Sequence, residues 1–116
     1  MSRRVILLPR VERDMRAASD WYEDQRAGLG DEVLTEIRRT FESVRTLPGR
    51  FVELRRGYRR ALVERFPYAV VYRYDDEKVT VVTVYHTSQN PTVWKRRITR
   101  DVTDREASDD TDQENG

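Results

Sequence analysis

The apolar residues of this chain change their spacing once, near Pro48, and that change limits the fold to one class. Before it, Val11, Met15, Ala18 and Tyr22 recur at intervals of four, three and four. That spacing puts them on one face of a helix from about Pro9 to Gln25. Gly28-Leu29-Gly30 interrupts the pattern. A second stripe follows, built from Val33, Leu34, Ile37, Phe41 and Val44 and stopped by Leu47-Pro48-Gly49. Asp31 and Glu32 place negative charge at its start, where the helix dipole favours it. Two helices joined by so short a link pack as an antiparallel hairpin.

Beyond Pro48 the period becomes two. Tyr58 to Arg65 reads as a short strand. Tyr68, Val70, Tyr72 and Tyr74 alternate with Ala69, Val71 and Arg73, and Val79, Val81, Thr83 and Tyr85 alternate with Thr80, Val82 and Val84. Asp75-Asp76-Glu77 supplies the turn between the last two strands. At the other end, Arg4 to Leu8 reads as a short, fully buried strand ended by Pro9. A short helix from about Thr92 to Thr99 closes the body. The expected fold is α+β, in the order β-α-α-β-β-β(-α), with the helix hairpin covering one face of a mainly antiparallel small sheet.

Charge divides the chain in two. Residues 101–116 hold seven acids against Arg105, a net of −6, whereas residues 1–100 hold 21 basic and 14 acidic groups, a net of +7. The expected organisation is one domain over 1–100 and an acidic, disordered tail over 101–116, too poor in apolar groups to offset its ordering entropy. The tail is a solubilising segment or an intramolecular screen for the basic face. The chain has no Cys, which excludes a disulfide framework and fits a reducing cytoplasm. No apolar run reaches the roughly 20 residues that span a bilayer.

Enzyme chemistry finds little support. His86 is the single histidine, so no histidine metal cluster assembles. Nothing in the spacing brings Ser19, Ser43 or Ser88 to it. The glycines between the helices are not followed by the lysine of a phosphate loop. No cofactor and no metal are expected. Arginine outnumbers lysine 20 to 2. Arg50, Arg55, Arg56, Arg59, Arg60 and Arg65 crowd around the second strand, and Lys95, Arg96, Arg97 and Arg100 cluster near the end. Guanidinium groups suit phosphate and carboxylate, so such a face holds nucleic acid or an acidic protein surface, or is a solvated sheet edge. The tyrosines are base-stacking platforms or, the better reading, one packed sheet face.

Several segments together carry a resemblance: Trp21-Tyr22, Leu29-Gly30, Leu47-Pro48, Arg59-Arg60, Phe66-Pro67-Tyr68, Tyr72, and the loop from His86 to Trp94. Over about residues 3–98 the chain resembles the RelE/ParE superfamily of small bacterial toxins, most closely its ParE or plasmid-stabilisation branch. The resemblance implies the toxin of a type II toxin–antitoxin system, held in a heteromeric complex by a cognate antitoxin and arresting growth through DNA gyrase. RelE-like members instead cut mRNA on the ribosome. They carry an arginine directly after the residue that opens the third strand, where this chain has Ala69. The His-x-x-Arg-x-Pro of ParE-like relatives reads His86-Thr87-Ser88-Gln89-Asn90-Pro91 here, with Gln89 in the arginine's place. The expected target-binding residues are Arg59, Arg60, Arg65, Arg73, Gln89, Trp94 and Arg96. The alternative nuclease reading uses Arg60, Arg65, Arg73 and His86, and a third reading is a degenerate member without toxicity.

Overall fold

The computed structural model describes residues 3–115, with side chains described as far as Ser108. The elements in chain order are β1 (Arg4–Leu7), α1 (Pro9–Gln25), α2 (Leu29–Thr46), a 3₁₀ turn (Pro48–Arg50), β2 (Val52–Arg55), β3 (Tyr58–Leu62), β4 (Tyr68–Tyr74), β5 (Lys78–His86) and α3 (Thr92–Asn115). The sheet runs β1-β5-β4-β3-β2. Only β1 is parallel to its neighbour; the other pairings are antiparallel.

The α+β class and the helix hairpin stand as expected, and α1 starts where Pro9 supplies a ready-made helical φ. The hairpin closes through Glu23. Its carboxylate, in the last turns of α1, accepts the Gly28 and Gly30 amides at 3.0–3.1 Å and so caps α2. Gly28 sits at φ 88 as the N-cap residue, a conformation costly for a side chain. Gly30 lies where the helices touch: a Cβ there would be 2.7 Å from the Ser19 carbonyl oxygen.

Four features depart from expectation. First, β1 is an edge strand with Ile6 and Leu7 each 37% exposed, not a buried one; parallel pairing to β5 leaves its outer side open. Second, β2 is an extra strand. Its arginines and Glu53 hide it in sequence, and pairing to β3 creates it. Third, β5 contains a bulge. Val71 faces Thr83 while Tyr72 faces Val81, leaving Val82 over. The inserted residue reverses the alternation, so Tyr85 joins the face opposite Tyr68 and Tyr72. The tyrosines therefore occupy both faces. Fourth, α3 does not stop at Thr99. Trp94, Ile98 and Val102, spaced by four, make a stripe that packs on Tyr58, Ala69, Val71, Val82 and Tyr85. Burying Ile98 alone contributes roughly 1.5–3 kcal/mol, and packing continues past residue 100. The charged side chains at 109–116, the bulk of the acidic tail, lie outside the described residues.

The core is thus two layers on one sheet. Val11, Met15, Val33, Ile37, Phe41 and Val44 cover the first face, and α3 covers part of the second.

Candidate functional site

Strand parity decides where each basic residue goes. Arg59 and Arg60 are neighbours in sequence and point to opposite faces of β3. Arg59, opposite Tyr72 on β4, donates from Nη1 to the Phe51 carbonyl at 2.6 Å. Arg60 emerges on the α3 side, where Nη1 donates to the Tyr85 hydroxyl at 3.1 Å. Close to it on that face, two residues along β3, Leu62 is 60% exposed.

Arg65 belongs to the hairpin side. It pairs with Glu32 at 2.8 Å and Glu36 at 3.8 Å, and its guanidinium lies 5.2 Å from the Phe66 ring centroid. These contacts hold it at φ 70, a strained value for a side chain with a Cβ, and tie the β3–β4 turn to α2. The Arg65 hydrogen bond also holds the Glu32 carboxyl below its ordinary value.

Arg73 is consumed internally. Its Nε and Nη2 donate to Asp101 at 2.7 and 3.2 Å. The Tyr58 hydroxyl donates to the same carboxylate at 2.6 Å, and Arg105 donates to that hydroxyl at 3.2 Å. Burial pushes the Asp101 carboxyl up, but the Arg73 and Tyr58 hydrogen bonds and the neighbouring cationic charge outweigh it, and the net shift is down. Burial likewise pulls Arg73 down while Asp101 pulls it up further, for a net rise. Burial first, then the Asp101 hydrogen bond, raises the Tyr58 phenol.

The remaining residues gather around Arg60. Leu62 faces Ala69, Ala69 faces Tyr85, and Tyr68 faces His86. One end of the α3-side face therefore carries Arg60, Leu62, Ala69 and Tyr85. From it the loop with exposed Gln89 leads to Trp94, half-buried, and to exposed Arg96. The Lys95 Nζ stands 5.6 Å from the Trp94 ring centroid. His86 Nδ1 is 2.7 Å from Ser88 Oγ and 3.1 Å from the Ser88 amide. Thus Arg60 and Trp94 share the α3-side face, and Gln89 and Arg96 are exposed on the loop and helix that follow β5. Arg59 and Arg65 turn to the hairpin side, and Arg73 is bound to Asp101. Arg60, Arg65, Arg73 and His86 do not converge: Tyr68, the partner of His86, and Arg73 stand five residues apart on β4, about 17 Å at the strand rise.

This architecture has known counterparts. The family model for the ParE toxin of the type II toxin–antitoxin system, parDE, matches residues 5–91. The chain belongs to the ParE toxin family. No curated protein sequence matches it. Among solved structures, the chromosomal ParDE toxin–antitoxin system from P. aeruginosa is similar with TM-score 0.67 and 12% identity, over 75% of this chain and 98% of that one. A doubly substituted mutant of the E. coli toxin RelE in the free state is similar with TM-score 0.63 and 16% identity, over 86% and 98%. At these identities the likeness is one of fold. Within this ParE-family chain the match ends at Pro91, just before α3, while the residues on which α3 packs lie inside it.

One connection went unforeseen from sequence. Asp14 on α1 accepts from the Thr83 hydroxyl at 2.7 Å and from the Val84 amide at 3.0 Å. Arg97 on α3 donates to the same hydroxyl at 2.7 Å and pairs with Asp14 at 3.5 Å. β1 pairs with β5 only as far as Val81, so the strand edge beyond is open to Asp14. The bulge is the missing signal.

Proposed function

We propose that this ParE-family chain is the toxin of a type II toxin–antitoxin pair, acting in the cytoplasm by binding DNA gyrase rather than by cutting RNA. One observation carries the reading. The α3-side face sets Arg60, bonded to the Tyr85 hydroxyl, beside the exposed Leu62 and over the cluster that Trp94 packs against, while Arg65 and Arg73 are engaged in ion pairs within the chain. Cleaving a phosphodiester needs cationic charge on the phosphate and a group that moves a proton. An arginine beside an exposed leucine and an indole is instead the composition of a protein-binding hot spot. Arg60, Gln89, Trp94 and Arg96 are the target-binding residues in this reading. Arg59, Arg65 and Arg73 act as supports.

The antitoxin is the second partner. A body with net charge +7 over residues 1–100 suits an acidic segment. The open edges β1 and β2 accept an added strand; Val52 on β2, 64% exposed, offers an apolar anchor there, and Trp21 on α1, 57% exposed, offers one on the helix hairpin. The test is induced expression with pulse labelling of macromolecular synthesis. Gyrase poisoning predicts that DNA synthesis and cell division fail first, and that co-expressed antitoxin restores growth. Protein synthesis stopping first would overturn the reading in favour of a nuclease.

A further inference from the structure

The end of the sheet opposite Arg60 holds a second basic site. The β2–β3 turn, the end of β4 and the start of β5 meet there under α3 and enclose a cleft of about 250 Å³. Arg56, Arg73, Lys78 and Arg105 line it, with Gly57 and Thr80. Arg73 and Thr80 face each other across β4 and β5. Asp75 also lines the cleft, but its Oδ1 is occupied by the amides of Glu77 and Lys78 at 2.8 and 2.9 Å. Those two hydrogen bonds hold its carboxyl below the ordinary value.

Charge in the cleft is unbalanced. Asp101 neutralises Arg73, and Asp75 offsets one further cation. The four lining cations against these two carboxylates leave +2 among the described residues. Among the described residues Arg56 makes no ion pair or side-chain hydrogen bond, Lys78 makes no direct ion pair, and Arg105 donates to a neutral phenol. Holding like charges together around a concavity costs free energy unless an anion joins them. A phosphate monoester carries about −1.5 to −2 at pH 7, close to the uncompensated charge. Guanidinium forks and an ammonium suit its oxygens, and the Thr80 hydroxyl adds a neutral donor.

We propose that this cleft is a phosphate-binding site, distinct from the Arg60 end and selective for a terminal phosphate monoester over the singly charged diester of a nucleic-acid backbone. Arg56, Lys78 and Arg105 contact the phosphate, and Arg73, held by Asp101, positions the floor.

The test is an amide NMR titration of the full chain with sodium phosphate, compared with sodium chloride at equal ionic strength. Phosphate should give saturable shifts at Arg56, Gly57 and Lys78 that chloride does not. The double change Arg56→Gln and Lys78→Gln should weaken binding about tenfold or more, whereas Arg16→Gln with Arg38→Gln, on the exposed sides of α1 and α2, should not. Equal shifts with both salts, shifts that do not saturate, or an unchanged affinity in the double variant would overturn the site. A nucleoside monophosphate and a short oligonucleotide with a terminal phosphate then separate the sources. Tighter binding of the oligonucleotide assigns a nucleic-acid end, and equal binding a free nucleotide. If the oligonucleotide binds as well with a terminal hydroxyl, the monoester assignment fails.

Discussion

Asp101 receives two N–H groups of Arg73, at 2.7 and 3.2 Å, and through that pair α3 is fixed to the face of the sheet. Asp101 is 5% exposed and Arg73's side chain 19%, so neither charge is well served by water alone. Asp101→Ala leaves Arg73 without its carboxylate and is expected to destabilise the protein by on the order of 3 kcal/mol. Chemical denaturation reads the loss, and faster amide exchange in α3 locates it. A change below about 1 kcal/mol would mean that α3 is held by its apolar stripe only.

The same pair sets an acid limit. The folded Asp101 carboxyl lies below its ordinary 3.8, so its contribution is complete above the unfolded value and disappears as pH falls through the lowered folded one. Near-ultraviolet circular dichroism, which senses Tyr58 and Trp94, should therefore show α3 undocking below about pH 4. Other carboxylates titrate in that window, so the decisive quantity is the difference from Asp101→Asn, whose signal should be flatter there.

Asp14 joins three elements at one carboxylate. Asp14→Ala frees the Val84 amide and leaves Arg97 without its counter-charge. Losing hydrogen bonds to a charged acceptor costs roughly 1.5–3 kcal/mol. Asp14→Asn should recover part of this, because the amide oxygen still accepts from Val84. Equal stabilities for the alanine and asparagine variants would exclude the edge-capping role.

Gly30→Ala pushes a methyl against the Ser19 carbonyl, at 2.7 Å before relaxation. Alanine's better helix propensity offers about 1 kcal/mol, while overpacking costs roughly 1–3 kcal/mol. Because the obstacle is backbone, the helices must separate and the net change should be destabilising. A raised melting temperature would show that the hairpin contact is looser than this geometry.

Arg59 and Arg60 offer the sharpest functional contrast. Arg60→Glu should abolish growth inhibition with little change in stability, since its one hydrogen bond is to the Tyr85 hydroxyl at 3.1 Å. Arg59→Ala should lower stability, by loss of the 2.6 Å bond to Phe51, and leave activity per folded molecule near wild type. Dose–response in cells, normalised to soluble protein, separates the two. Gln89→Arg, which restores the charge seen in related toxins, should strengthen inhibition.

What sequence made legible was the regular part. The stripes of α1 and α2 are strong because one face of each helix is buried and the other is not, whereas β4 reads as a strand through its run of β-branched and aromatic residues, buried on both faces. The rest was hidden by physical effects that periodicity does not carry. Val5-Ile6-Leu7 looks like a buried strand, yet its place at the sheet edge is set by tertiary pairing. Val52 and Leu54 sit among charges and read as loop until β3 pairs with them. One extra residue at Val82 turns Tyr85 over. Trp94, Ile98 and Val102 form a helical stripe inside so charged a stretch that composition masks it. The adjacent arginines at 59 and 60 looked like one patch, although strand alternation already separates them.

The central claim is that this protein harms a cell by holding another macromolecule. Its most direct measurement is the supercoiling of relaxed DNA by purified gyrase in the presence of the purified chain. Supercoiling should fall with increasing protein, recover when antitoxin is added, and be unaffected by the Arg60→Glu variant. Undiminished supercoiling, with messenger cut on translating ribosomes by the same preparation, would contradict the account.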